Sequence, residues 1–165
     1  NWPDVLELGS AFDPMKLVVI DACDQVRAKT AMAAWAIQNQ ATLISVGAAG
    51  GKRLAHRVDI EDLALVTHDP LLAQMRYRLR KEHGAARRGK IGVACVFSRE
   101  AVLQPAVASA QDAQENNLER GQETNDEAAT KTDGSLNCHG YGSVVTVTST
   151  FGLCATGWVL GKIAG

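Results

Sequence analysis

Two carboxylates three residues apart, Asp21 and Asp24, are followed closely by two cations, Arg27 and Lys29. Acids and cations set together in this way are groups that the chemistry of a ligand site uses. A plainer role is open to Asp24 at the same position. It can cap the helix that follows, which is worth about 1 kcal/mol. The segment just before them bears on the choice. Leu17 to Ile20 form a continuous apolar, largely β-branched run, which predicts a strand buried on both faces. In open α/β sheets, ligands bind beyond the carboxyl ends of such strands, where both acids fall.

The elements that must position these residues alternate between strand and helix patterns. Residues 26–40 are alanine-rich, with Ala28, Met32, Trp35 and Ile37 near helical spacing. A second strand is predicted over 41–46, ending in Gly47-Ala-Ala-Gly-Gly51, where glycines permit either a simple turn or close backbone approach to a ligand. Residues 58–66 alternate like a strand with one exposed face. Asp69-Pro70 then opens a helix whose apolar stripe is Leu71, Leu72, Met75 and Leu79, closed by Gly84. A third buried strand is predicted over 91–98, with Cys95 in its middle as a small apolar residue. A short helix is expected over residues 2–8, followed by a turn at Asp13-Pro14. Residues 1–100 thus form the core. Residues 101–139 are polar and without period, too long for a passive connection, so a functional or disordered crossover loop is expected.

The chain of 165 residues is long enough for one domain with a real core, and its net charge of −1 excludes a uniformly polyanion-binding molecule. Charge is unevenly placed, however. Between residues 76 and 90 lie Arg76, Arg78, Arg80, Lys81, Arg87, Arg88 and Lys90, against Glu82 alone. Such a cluster most simply forms an ordinary solvated helix face, with contact to the phosphate backbone of tRNA by Arg76, Arg80, Arg87, Arg88 and Lys90 as the alternative. The four cysteines form no Cys-x-x-Cys pair, so reduced thiols and no structural zinc are expected. Cys138, beside His139, is the better candidate for a reactive thiol. No apolar run is long enough to span a bilayer, and a cytoplasmic location with no membrane partner is the simplest expectation. The chain opens at Asn1 and reaches its first core strand within twenty residues, which suggests a fragment.

Asp21-Ala-x-Asp24-x-Val-Arg27-x-Lys29 resembles the second half of the ThiF/MoeB/HesA superfamily, the bacterial relatives of ubiquitin-activating enzymes. Further similarities fall in the same order: Gly47-Ala-Ala-Gly-Gly51, Asp69-Pro70-Leu71-Leu72-Ala73, Ile91-Gly-Val-Ala-Cys-Val-Phe-Ser-Arg-Glu100, and Gly140-Tyr-Gly-Ser143 with Thr148-Ser-Thr-Phe-Gly152. Within the superfamily the block at 91–100 is most similar to the tRNA threonylcarbamoyladenosine dehydratase branch.

The resemblance implies the C-terminal portion of a Rossmann-like α/β adenylating domain, an incomplete sheet with flanking helices. It also implies that residues 140–165 close the domain as a helix, although Val144 to Thr148 favour a strand by local propensity. The implied activity is ATP-dependent activation of a carboxylate as an acyl-adenylate, here a carboxylate carried on tRNA. By resemblance Asp24 is the magnesium or triphosphate ligand, Asp21 supports it, Arg27 is a catalytic cation and Lys29 a further cofactor-binding cation. The family's glycine-rich nucleotide loop belongs to its first half, and no such motif precedes Asp21. ATP and magnesium are therefore the family's cofactors, and neither is expected to bind this chain tightly by itself. A homodimer is expected, to cover an exposed sheet edge. One alternative is a non-catalytic homodimeric scaffold; another is a sulfur-carrier adenylyltransferase relative, which the missing cysteine pairs disfavour.

Overall fold

A computed structural model describes residues 17–102 and 142–164. The expected helix over 2–8, the turn at Asp13-Pro14, Cys138 and nearly all of the 101–139 loop lie outside the described residues. Within them the order is β1 (Val18–Asp21), α1 (Val26–Gln38), β2 (Thr42–Val46), a 3₁₀ turn (Ala55–Arg57), β3 (Val58–Asp62), α2 (Pro70–Glu82), β4 (Ala94–Ser98) and α3 (Val145–Ala164). The strands form one sheet in the order β1-β2-β4-β3. β1, β2 and β4 run parallel, pairing Ile20 with Ile44 and Ser45 with Cys95, while β3 runs antiparallel to β4.

Side chains alternate across a strand, and here each face has its own cover. Leu43, Cys95 and Phe97 point to the side where α1 and α2 pack, joining Ala33, Leu72, Met75 and Leu79. Ile44 and Val96 point to the other side, where Val147, Phe151 and Ala155 of α3 rest on them. Those three α3 residues recur every four positions, so a segment with strand-like local propensity gains a buried stripe only as a helix. Tertiary packing decides its state.

The expected strand at 17–20 differs in one respect. Among the described residues β1 pairs only with β2, and Ile20 remains 43% exposed, so the strand is an edge and is not buried on both faces. Its apolar run reflects contact with α1 on one side and a cleft on the other. No helix among the described residues is long and apolar enough to cross a membrane.

The end of β1 is fixed by a buried ion pair. Lys29 Nζ donates to Asp21 Oδ2 at 2.8 Å and to Ser45 Oγ at 3.1 Å, and Ser45 Oγ donates to the same carboxylate oxygen at 2.7 Å. Both charged side chains are excluded from solvent. Removing one partner of such a pair strands the other charge, so Lys29→Met should lower the unfolding free energy by about 3–5 kcal/mol in urea titration. Adding Asp21→Asn to that variant should recover part of the loss. A double variant whose loss equals the sum of the two single-variant losses would show that the pair is not coupled.

Candidate functional site

A cleft of about 550 Å³ opens at the carboxyl ends of β1 and β2. Its floor is Ile20 and Val46, one wall is the glycine loop after β2 with Pro70, and the other is α3 from Thr148 to Thr156. Asp24 stands on its lining. The cleft exists because α3 crosses the sheet singly, leaving the strand ends beside it uncovered.

The four residues of the acidic motif separate into different roles. Asp24 is exposed, and the following helix has Gln25 as its N-cap with no side-chain capping bond, so Asp24 does not serve as the cap. Asp21 and Lys29 are turned inward and engaged with each other and with Ser45. Asp21 also accepts from the backbone N–H of Cys23 at 3.1 Å. Arg27 is exposed on the first turn of α1 and is not part of the cleft lining. One acid of the set therefore faces the cavity, and the buried pair behind it sets where the connecting segment runs.

The opposite wall is built by residues whose part is not evident from spacing. Asp69 caps α2, accepting from Leu72 N at 2.9 Å, and its other oxygen accepts from Ala48 N at 2.9 Å. Burial pushes the Asp69 carboxyl up from its ordinary value. A Cβ at Gly47 would collide with that carboxylate, so this glycine answers to a neighbouring helix and carries the bland side of the two expectations for the loop. Lys52, at the end of the same loop, is fully buried and donates to the backbone oxygens of His68, Ser98 and Glu100 at 2.9, 3.1 and 3.0 Å. Burial pushes its ammonium pKa down. A lysine after two glycines gives no sequence signal of this, because its acceptors come from three distant segments.

The basic cluster also divides. Arg76 donates to the carbonyls of Leu63 and Val66 at 3.0 and 2.8 Å, Arg78 pairs with Glu82, and Arg80 Nε donates to Ala86 O at 3.1 Å. Arg87, Arg88 and Lys90 lie exposed on the loop beyond α2. Cys95 is fully buried, and burial drives its thiol pKa far upward, which removes it as a nucleophile. Burial and the neighbouring Asp21 also push the half-buried Cys23 thiol up.

A magnesium ion that keeps most of its waters needs only one or two carboxylates beside phosphate oxygens, and Asp24 fits that requirement. None of the described cleft-lining side chains is cationic, and among the described residues no group of three His, Cys, Asp or Glu side chains could hold a metal by itself.

The parallel strands, the helices on both faces and the acid beyond β1 define an α/β unit with the Rossmann-like ThiF fold. Within that class the similarity is to tRNA threonylcarbamoyladenosine dehydratases. Over 147 residues the chain is 36% identical to the enzyme of that name from Escherichia coli K12, covering 88% of this chain and 51% of the relative. It is 29% identical over 148 residues to the one from Haemophilus influenzae, covering 88% and 49%. The solved structure of E. coli TcdA in complex with ATP superimposes with a TM-score of 0.70 at 30% identity, over 98% of this chain and 52% of that one. The AMP complex gives 0.69. The chain thus spans about half the length of the curated relatives it matches. No protein-family model matches it.

Gly47 makes the wall testable. Gly47→Ala should displace the Asp69 carboxylate from Ala48 N and Leu72 N and cost about 1–3 kcal/mol of stability by urea titration. Unchanged stability would show that the loop and the start of α2 shift freely.

Proposed function

We propose that this chain is the acid-bearing portion of an ATP-dependent adenylating enzyme that activates a carboxylate carried on tRNA. The observation that carries the proposal is the placement of Asp24. It is the one member of the acidic motif that lines the cleft, at the strand ends where α/β folds bind ligands. Similarity to enzymes named tRNA threonylcarbamoyladenosine dehydratase, and to one of them solved with ATP, supports the choice of nucleotide and substrate class.

Asp24 is the residue that would hold magnesium, and the ion when bound offsets charge on the nucleotide phosphates. Asp21, Lys29 and Ser45 hold the end of β1 so that the segment bearing Asp24 keeps its place. Asp69 and Lys52 do the same for the glycine loop across the cleft. Ile20, Val46 and Phe151 give it an apolar lining that limits water. Arg27, three residues beyond Asp24, is the nearest cation in sequence and would act at the mouth. No cationic side chain lines the cleft among the described residues, so the phosphate cradle is assigned to the part of the relatives that this chain does not span. Zinc has no part in the scheme, and a cytoplasmic setting suits tRNA chemistry.

A homodimer belongs to the proposal. Leu153, Leu160 and Ile163 on the outer side of α3 are 74%, 60% and 67% exposed, a surface that an isologous pair would cover. The same surface favours the second reading, a non-catalytic homodimeric scaffold.

Calorimetric titration with magnesium-ATP, alongside light scattering for mass, separates the two. The chain alone should give no saturable heat and the mass of two copies. Mixed with a polypeptide matching the rest of the E. coli relative, it should bind ATP, and Asp24→Asn should weaken that binding by about tenfold or more. Full-strength binding by the Asp24→Asn complex would overturn the role given to Asp24, and no binding by the wild-type mixture would leave the scaffold.

A further inference from the structure

At the other end of the strands a second groove, of about 430 Å³, runs between the starts of β2 and β4 and the last turns of α3. Two lysines from distant segments meet on its lining, Lys90 from the loop before β4 and Lys162 from α3. Lys162 Nζ stands 5.4 Å from the centre of the Trp158 ring, which also lines the groove. Two carboxylates share the lining, and both are already engaged. Asp62 accepts from the N–H groups of Ala64, Ile91 and Gly92 at 2.9, 2.9 and 2.7 Å, and Glu61 pairs with Arg99 at 3.4 Å. Both acids keep their charge and balance the two lysines, so any positive excess comes from the loop that carries Lys90.

The loop that brings Lys90 there is a built feature. Asp62 pins its far end through Ile91 N and Gly92 N. Gly89 and Gly92 take φ of +75° and +92°, backbone that side-chain-bearing residues rarely adopt. Arg87 and Arg88 precede Lys90 on this loop, both exposed. By contrast Arg76 and Arg80 spend their guanidinium groups on backbone carbonyls.

We propose that Arg87, Arg88, Lys90 and Lys162 form one docking surface for the phosphodiester backbone of RNA. It lies at the amino ends of the parallel strands, away from the cleft that carries Asp24. This inference rests on the reading that the substrate is borne on tRNA, and it moves the RNA contact from the face of α2 to the loop and the end of α3. Four cations against the two engaged carboxylates Glu61 and Asp62 leave a positive excess that suits a polyanion, and an extended RNA can touch this end while presenting a nucleotide elsewhere. An acidic protein or an anionic membrane would use the same charge and is separated by experiment.

The test is fluorescence anisotropy of the whole chain with an unmodified tRNA transcript from 50 to 200 mM salt. Four phosphate contacts to duplex RNA should weaken binding by about 100-fold over that range. Arg87→Ala with Arg88→Ala and Lys162→Ala should leave a dependence of about fourfold, with unchanged thermal midpoints. Arg53→Ala, an exposed cation near the other end of the strands, should leave it as in the wild type. A full salt dependence in the triple variant would overturn the surface while leaving the tRNA reading intact. A duplex RNA of unrelated sequence that binds with the same slope, lost in the triple variant, supports the surface even if magnesium-ATP titration defeats the adenylation reading. Failure to bind any RNA, or equal binding to anionic vesicles or polyglutamate, overturns it.

Discussion

The buried pair of Asp21 and Lys29 is the interaction on which the rest of the cleft depends. Taking two charges out of water costs several kcal/mol per ion, and the attraction between them offsets this only when the remaining donors and acceptors are satisfied. Here Asp21 accepts from Lys29, from Ser45 and from the backbone of Cys23. The three side chains come from β1, α1 and β2, so one small network ties both strand ends to the helix between them. The short segment from Ala22 to Gln25 has little freedom left. Asp24 is held on that segment facing outward, which is why a residue with no capping role keeps a defined place.

The opposite wall repeats the principle with different chemistry. Asp69 joins the glycine loop to the start of α2, and Lys52 joins the end of that loop to the segments on either side of it. Lys52 gives three hydrogen bonds to carbonyl oxygens, which a charged ammonium can supply and a neutral amine cannot. Its burial lowers the pKa without removing the need for three donors. Asp62 plays the matching part at the other end of the sheet, closing the turn before β4 with a single carboxylate on three N–H groups. Each end of the strands is therefore shaped by a buried or partly buried acid acting on backbone.

Much of this was legible in residue patterns, and the limits have physical causes. The strands at 41–46, 58–66 and 91–98 and the helices at 26–40 and from Asp69-Pro70 follow from period and punctuation, each to within a few residues. The exposure of Ile20 was not legible, because an apolar run does not reveal whether a strand has neighbours on both sides. Nor was the spending of Arg76 on the Leu63 and Val66 carbonyls, since a helix face gives no sign of a loop folding over it. The acidic motif was found as a cluster, but spacing alone does not separate the acid that faces the cleft from the pair that is buried. That sorting depends on Ser45, which lies 24 residues away from Asp21 and comes beside it only through the parallel register of β1 and β2.

α3 explains why both grooves exist. A parallel sheet ordinarily has each face covered, and one helix is too narrow to cover four strands. α3 spans the face obliquely, with Val147, Phe151 and Ala155 on Ile44 and Val96, and Trp158 beyond them over Ile60 and Ala94. Its first turns flank the Asp24 cleft and its last turns flank the lysine groove. The glycines at 152, 157 and 161 meet no neighbour where a Cβ would stand, so packing within the described chain does not require them. Each weakens the helix by about 1 kcal/mol relative to alanine. With this cost accepted and Leu153 and Leu160 left in solvent, the outer side of the helix is the surface that the proposed homodimer would cover.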